Sequence, residues 1–322
     1  MGYIIRRLAT AVIVVLGVAA IIFALLHWLA PSPAYDVLGA KAQPAAVASW
    51  NKLHGYDRPE IVQFFSYLGD LVHLNFGYSY KLSQSVSALF KENAGRSAYL
   101  TLAALLLSLI IAVPLGIMQA VRRNTFGDYT FTTLNFVLYS MPSFFLGLIL
   151  IQFLALDWGV FPPTVSDSIT TAWQAFDHPT QLALPIVTLA AINVASFSRY
   201  MRSSALDNLA QDYIRLARAK GLSQRAVLFH HLLRNACLPM ITLIGLSIPT
   251  LLAGNLLTEY LFNYPGLGLL FYTALQNLDY NVLLAYVILG PARLRDSRRH
   301  PDGARQSDRR RRDQHRGPAG AP

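Results

Sequence analysis

The chain has 322 residues, of which 54% are hydrophobic and only 14% are charged, and its formal net charge is +10. This composition excludes a large water-soluble domain, because such a domain carries many more charged residues on its surface. The single cysteine, Cys237, excludes an intramolecular disulfide and a thiolate metal cluster.

Several stretches are apolar over about the 20 residues that a helix needs to cross the hydrocarbon layer. They are residues 8–30, 98–121, 131–156, 181–197 and 238–257. The first follows Arg6 and Arg7, but its apolar core is too long for a signal peptide and no A-x-A cleavage site comes directly after it. We therefore expect a retained helix, and the sequence predicts an all-α, polytopic membrane protein with five clear transmembrane helices.

The charges of the short loops predict the orientation of these helices, because Arg and Lys favour the cytoplasmic side. Arg6 and Arg7 place the N-terminus in the cytoplasm, and residues 31–97 then form an extracytoplasmic loop region. Seven basic residues place 198–237 in the cytoplasm, whereas 157–180 has aspartates and no Lys or Arg. We expect a multi-pass protein of the bacterial cytoplasmic membrane.

The basic loop 198–237 has the pattern of two helices separated by a sharp turn. Leu206, Leu209, Tyr213 and Leu216 recur at helical spacing. The glycine at 221 suits the left-handed position that ends a helix, and the next serine caps a second helix over 224–236. Two interpretations are open: an amphipathic loop that lies on anionic lipid, or a rigid protrusion that docks in a groove of another protein.

The stretches "YIRLARAKGL" and "HHLLRNACLP" in this loop resemble the cytoplasmic signature of ABC-importer permeases, in the dipeptide and oligopeptide (peptide and nickel) branch. The general signature has Glu-Ala-Ala, then Gly, and later Leu-Pro. Here Arg215, Leu216 and Ala217 stand at the first three places, and Gly221 and Leu238-Pro239 match. The missing Glu departs from the general form. Further stretches resemble the same branch in the same order: "PLGIMQAVRRNTFGD", "YSMPSFFLG", "WGVFPP", "ALPIVTLA", "SRYMRSS" and "TEYLFNYPGLG".

This resemblance implies the fold of a type I ABC importer permease, and a function in which the chain supplies half of a transmembrane pathway. The implied partners are a homologous second permease, two ATPase subunits that use ATP and Mg²⁺, an extracytoplasmic substrate-binding protein and membrane lipid. The loop around Gly221 would be the coupling helix that meets the ATPase. The residues implied for coupling are Arg215, Ala217, Arg218, Ala219, Lys220, Gly221, Leu222 and Ser223.

The candidates for the pathway or its gate lie elsewhere in the chain. They are Pro142, Ser143, Glu259, Pro265, Gly266 and Gly268. Ionisable residues at membrane depth are candidates for function by default, and Glu259 stands near the outer end of the fifth span. Prolines within spans remove a helix hydrogen bond and permit kinks.

We expect no catalytic residue, bound cofactor or metal site in this chain. It contains no GxxxxGK[ST] motif, so ATP and Mg²⁺ belong to the partner subunits. His230 and His231 are adjacent and point apart on a helix, so they do not share a metal easily. The alternatives to an importer of di- or oligopeptides are a stand-alone secondary transporter, which needs an inverted repeat and broken helices, and a membrane scaffold.

The C-terminus departs from the family pattern. The sixth apolar run stops at Gly290, and residues 291–322 contain ten arginines and four aspartates but no lysine. This composition predicts a disordered tail, which lacks aromatic residues for stacking on nucleic acid. We interpret the tail as the product of a shifted reading frame, with the sixth helix truncated or replaced. The predicted organisation is 1–30 as the N-terminal helix, 31–97 as the outer loop region, 98–290 as the permease core and 291–322 as the tail.

Overall fold

The computed structural model describes residues 2–29, 32–39, 41–73, 75–166 and 174–289. The predicted tail at 291–322 lies outside these residues. The described part is helical apart from turns and one short hairpin, which confirms the predicted fold class of a helical, polytopic membrane protein.

The outer loop region has more structure than the sequence predicts. After α1 (Gly2–Leu29) come α2 (Ala34–Leu38), α3 (Pro44–His54) and α4 (Glu60–Val72). A hairpin of β1 (Tyr78–Ser79) and β2 (Gln84–Ser85) follows, in antiparallel register with Tyr78 opposite Ser85. The ring of His27 on α1 lies 3.4 Å from the carboxylate of Glu60 on α4, so the first helix is tied to this region.

Two described helices are long and apolar enough to cross a membrane unbroken, α5 (Val86–Val121) and α9 (Pro179–Leu209). The first begins well before the predicted start of its span, because Ser85 caps it by accepting from the backbone N–H of Ala88. Both helices stay continuous through an internal proline. They pack along each other so closely that a Cβ added at Gly116 would lie 2.6 Å from Cβ of Met201.

The third predicted span is bent sharply at its internal proline. The structure has α6 (Phe126–Ser140) and α7 (Ser143–Leu150), which continues as a π-helical turn (Ile151–Asp157), and the two parts are bent by 108°. Met141 and Pro142 are extended at the bend. Proline lacks a backbone N–H, and it disfavours helical geometry at the residue before it, so the helix stops here.

The remaining elements are a short helix before α9, the helices of the basic loop and of the fifth predicted span, and the helices that follow this span up to the truncated sixth apolar run. They are α8 (Gln174–Asp177), α10 (Asp212–Ala219), α11 (Gln224–Ala226), a π-helical segment (Val227–Leu232), α12 (Leu233–Ala236), α13 (Leu238–Ala253), α14 (Leu256–Leu261), α15 (Leu267–Gln276) and α16 (Tyr280–Leu289). The fifth span ends at Ala253 rather than Leu257, because Gly254 has φ +75° and Asn255 is not helical.

Three buried clusters organise the packing of the described residues. One joins the start of α5 to α15 and α16 and includes Phe90 and Leu283. Another joins the later part of α5 and the end of α9 to the basic loop. The third includes Leu100, Leu182 and Tyr264. Each predicted site therefore sits beside its own apolar core.

Candidate functional site

The basic loop folds as the predicted helix, turn and helix; we call residues 212–236 the hairpin segment. The first helix ends in a Schellman motif: the N–H of Gly221 donates to O of Arg218 at 2.9 Å, and the N–H of Leu222 donates to O of Ala217 at 3.3 Å. Gly221 has φ +77°, the left-handed conformation that favours glycine. The second helix is capped by Ser223, which accepts from the N–H of Ala226 at 3.3 Å. The glycine and serine predictions are confirmed.

One face of the hairpin segment is anchored to the membrane helices. Ile214, Val227 and Leu232 are buried in a cluster with Met201 and with Ala112. Two hydrogen bonds tighten this contact, because the hydroxyl of Ser204 donates to O of Ala236 at 2.9 Å and that of Tyr213 donates to Oδ1 of Asn208 at 2.6 Å. The segment is thus a rigid extension of α9 and α13 rather than a loose loop.

The opposite face projects outward with basic and apolar side chains. The predicted coupling residues Arg215, Arg218, Ala219, Lys220, Gly221, Leu222 and Ser223 are exposed, and so is Arg225. Arg215 lies 3.5 Å from Asp212, and both side chains are largely exposed. Surface pairs of this kind contribute little to stability, so these guanidinium and ammonium groups remain available to a partner.

The structure changes the predicted set in two ways. Ala217 is 4% exposed and packs inward, so it supports the segment instead of facing outward. Two apolar side chains that the sequence did not single out for this surface are exposed, Leu216 at 58% and Phe229 at 66%. The available signal was their position: each stands two residues from a buried one, Leu216 from Ile214 and Phe229 from Val227, and therefore on the opposite side of the helix.

The end of the fifth span forms a second site, centred on a buried carboxylate. Glu259 is 0% exposed, and each of its oxygens accepts two hydrogen bonds. Oε1 accepts from the hydroxyl of Ser97 at 2.7 Å and from the N–H of Asn255 at 3.0 Å, and Oε2 accepts from the N–H groups of Gly268 at 2.6 Å and Leu269 at 3.4 Å. We call Glu259, Ser97 and the backbone of 266–269 the Glu259 clamp.

Glycines surround this carboxylate because no side chain fits there. A Cβ at Gly266 would lie 2.4 Å from Oε2 of Glu259, and one at Gly268 would lie 2.5 Å from Cα of Leu256. Pro265 closes the turn, and its carbonyl accepts from Arg96 at 3.2 Å. The structure therefore brings together four of the predicted gate residues, Glu259, Pro265, Gly266 and Gly268.

The other two gate candidates, Pro142 and Ser143, stand at the bend before α7. This helix contacts α14 at Gly147, where an added Cβ would lie 2.6 Å from Cδ2 of Leu261. The bend thus brings α7 against the same short helix that carries Glu259.

A buried ion pair near the basic loop was missed by the sequence reading. Asp128 on α6 accepts from Nε and Nη2 of Arg202 on α9 at 3.0 and 2.9 Å, and its side chain is 3% exposed. The same carboxylate accepts from the N–H of Asn124 at 3.0 Å. Thr125 and Asp128 have the spacing of an N-terminal capping pair, which was the only sequence signal for this site.

Within the described residues, no group of three or more His, Cys, Asp or Glu side chains lies close enough to hold a metal ion. The fold and these sites define a class: a helical membrane subunit with a rigid, basic hairpin projecting from one end of its bundle.

Comparison with known proteins identifies the family. Residues 112–290 match the family described as "Binding-protein-dependent transport system inner membrane component", and residues 1–93 match its N-terminal family. The chain belongs to this family, and is therefore a membrane subunit of a transport system. The match ends where the arginine-rich tail begins.

Three relatives show how far the similarity extends. The oligopeptide transport system permease protein AppB of Bacillus subtilis (strain 168) is 36% identical over 289 residues, which cover 89% of this chain and 92% of the relative. The glutathione transport system permease protein GsiC of Salmonella typhimurium is 34% identical, with 90% and 91% covered. The dipeptide transport system permease protein DppB of Escherichia coli (strain K12) is 33% identical over 309 residues, with 89% and 91% covered.

Proposed function

We propose that this chain is the permease subunit of an ATP-driven importer that moves short peptides across the bacterial cytoplasmic membrane. The family match and the names of the relatives, which transport oligopeptides, dipeptides and glutathione, support this function. The alternation of basic and acidic loops supports a cytoplasmic N-terminus. The chain itself does no chemistry, and ATP with Mg²⁺ is used by two partner ATPases.

The single observation that carries the mechanism is the anchored hairpin segment. Its buried face is continuous with α9 and α13, and its outward face carries exposed cations and the exposed side chains of Leu216, Leu222 and Phe229. A rigid part displaced by a partner transmits that displacement to the helices at its two ends. We propose that closure of the ATPases on ATP moves this segment and re-angles both helices, which produces alternating access.

The chemistry of the outward face indicates what the ATPase groove contains. Apolar anchors favour an apolar pocket, and they supply most of the affinity in a typical interface. Arg215, Arg218, Lys220 and Arg225 favour a rim of acidic residues, which sets orientation more than affinity. Gly221 and Ala219 keep the tip narrow, so that the partner backbone approaches closely.

The proposed pathway lies between this chain and a homologous second permease, and an extracytoplasmic binding protein delivers the cargo. Pro142, Ser143, Pro265, Gly266 and Gly268 are the proposed gate residues. Glu259 is enclosed on all sides, so we assign it to holding the 266–269 backbone in place rather than to contact with cargo.

Two experiments test the proposal: one measures the coupling of ATP hydrolysis to peptide uptake, and the other measures assembly with the ATPases. Gly221→Asn keeps a residue that tolerates positive φ, whereas Gly221→Val does not; a Cβ at 221 meets nothing within 4 Å inside the chain. We expect peptide uptake into vesicles to fall at least tenfold in Gly221→Val with ATP hydrolysis uncoupled, and to fall much less in Gly221→Asn.

Assembly is tested with charge and polarity changes on the outward face. Arg218→Glu and Leu222→Asp should release the ATPases when the complex is purified through this chain. Lys91→Glu, an exposed residue at the other end of the bundle, is the matched control. Retention of both ATPases in the Arg218 and Leu222 variants would overturn the docking role.

A further inference from the structure

The structure contains a large cavity that none of the sites above uses. Its volume is about 800 Å³, and it lies between the end of α1, the α3–α4 turn, the β-hairpin and the start of α16. Its walls come from both family matches, since Tyr56 and Asp70 belong to the first and Asn281 to the second. Ligand sites form preferentially where two units meet, and they typically measure about 300–1,000 Å³.

Aromatic side chains form one wall of this cavity, which we call the outer cavity. His54 stacks on Trp50 with ring centroids 4.0 Å apart, and Tyr80 packs edge-on against both rings. Tyr56 also stacks on Trp50, at 5.6 Å. Each ring packs against its neighbours, so this wall of the cavity is preformed in the absence of a ligand.

Two phenol groups give this wall hydrogen-bonding capacity. Burial raises the pKa of Tyr56 to about 12 and also raises the pKa of Tyr67, so both keep their protons at neutral pH. The hydroxyl of Tyr67 is buried and has no hydrogen-bond partner in the described protein. An unsatisfied buried hydroxyl is costly, and such groups normally meet a polar atom of water or of a ligand.

The lining also carries two opposite charges that do not pair with each other. The backbone of Arg58 is fixed because Gln63 donates to its carbonyl at 2.8 Å. Asp70 accepts one hydrogen bond, from Asn75 at 3.3 Å, which leaves its second oxygen open. In the described part of the chain, neither Arg58 nor Asp70 forms an ion pair.

A guanidinium, a carboxylate and a wall of phenols in one cavity match a zwitterion with a polar backbone. We propose that the outer cavity binds a short peptide with free termini, its carboxylate on Arg58 and its ammonium on Asp70, with the backbone against Tyr56 and Tyr67. The peptide class rests on the proposed function. The site would hold cargo at the outer end of the permease, outside the central pathway.

The test uses the full chain in lipid nanodiscs, without ATPases, and three probes: trialanine, N-acetyl-trialanine and trialanine amide. Acetylation removes the ammonium, and amidation removes the carboxylate. Because Arg58 and Asp70 are exposed at the mouth of the cavity, we expect each charge contact to change affinity by about three- to tenfold.

The variants should show a specific pattern in calorimetric titrations. Asp70→Asn should weaken the binding of trialanine and its amide but leave the affinity for the acetylated peptide unchanged. Arg58→Gln should weaken the binding of trialanine and the acetylated peptide but leave the affinity for the amide unchanged. Lys52 and Asp57 are exposed neighbours outside the cavity. The control variants Lys52→Gln and Asp57→Asn should therefore bind all three probes as the unaltered chain does.

Equal affinity for the three probes, or a loss that is the same for all three in each variant, would overturn the proposal. Thermal unfolding of each variant checks that the fold is kept. The two proposals can fail separately. If the three probes bind without the expected pattern while the ATPases still co-purify with this chain, only the outer-cavity proposal is wrong. If the unaltered chain does not bind the ATPases while the probe pattern is as expected, only the proposed coupling mechanism is wrong.

Discussion

Ser97 on α5 donates its hydroxyl proton to Oε1 of Glu259 at 2.7 Å, although 162 residues separate the two in the chain. The same hydroxyl accepts from the N–H of Leu267 at 2.8 Å. One serine therefore joins α5 to the carboxylate on α14 and to the first residue of α15. The Glu259 clamp thus holds two elements that are distant from α5 in the sequence.

The clamp predicts large effects for isosteric changes. All four groups around Glu259 are donors, two to each oxygen, so the amide nitrogen of Glu259→Gln would face two donors in either orientation. We expect a loss of about 2–4 kcal/mol in the free energy of unfolding, and about 1–2 kcal/mol for Ser97→Ala. Thermal unfolding in detergent measures both. Ser49→Ala, which removes an exposed hydroxyl bonded within its own helix, should have almost no effect.

The glycines of the clamp predict a steric effect that depends on position. In Gly268→Ala the new Cβ would lie 2.5 Å from Cα and 2.7 Å from N of Leu256, and backbone atoms cannot yield as a flexible side chain does. We expect a loss of about 1–3 kcal/mol. At Gly95, also in a helix, nothing lies within 4 Å, so Gly95→Ala should be neutral or slightly stabilising. Equal unfolding temperatures for the two variants would contradict the packing described here.

The close approach of α5 and α9 depends on the absence of a side chain at Gly116. Small residues permit close contact of helices in membranes, and a Cβ at this position would lie 2.8 Å from O of Ser198 as well as against Met201. Gly116→Ala should separate the helices, lower the unfolding temperature and speed proteolysis of the hairpin segment. Gly245→Ala, where nothing lies within 4 Å, provides the comparison. The prediction is wrong if the two variants resist protease equally.

We expect removal of the arginine in the Asp128–Arg202 pair to lower the free energy of unfolding much more than removal of the neighbouring Arg199. Arg202→Gln leaves a nearly buried carboxylate without its cation, and such changes cost about 3–5 kcal/mol when fully buried. Because the Arg202 side chain is 31% exposed, we expect roughly 2–4 kcal/mol. Arg199→Gln, three residues earlier, loses a contact with the Tyr139 ring and should cost much less. A double-mutant cycle with Asp128→Asn measures the coupling, and an additive result would show that the pair contributes nothing.

The local parts of the site were predictable from residue order alone. The left-handed turn at Gly221 and the cap at Ser223 depend on neighbours within a few residues, and the structure has both. The bend at Pro142 was only partly predictable. Proline permits a break, but the 108° angle depends on the packing of α7 against α14.

The burial of Glu259 shows the opposite case. From its position near a span end, the residue is a candidate for the pathway, whereas its donors come from Ser97 and from the turn at 266–269. Neither the donors nor the enclosure can be read from spacing. The same applies to the outer cavity, whose walls come from residues as far apart as Phe23 and Leu284.

What the sequence by itself determined is the class of the molecule, from its apolar stretches, and the local turns of the hairpin segment. These features depend on the solvent that each segment prefers and on hydrogen bonds between near neighbours. Only the tertiary structure decided which side of the hairpin segment is anchored, where Glu259 finds its donors, and that charged and phenolic groups line one outer cavity. Those features arise from contacts across long stretches of chain, and such contacts form only when the helices pack.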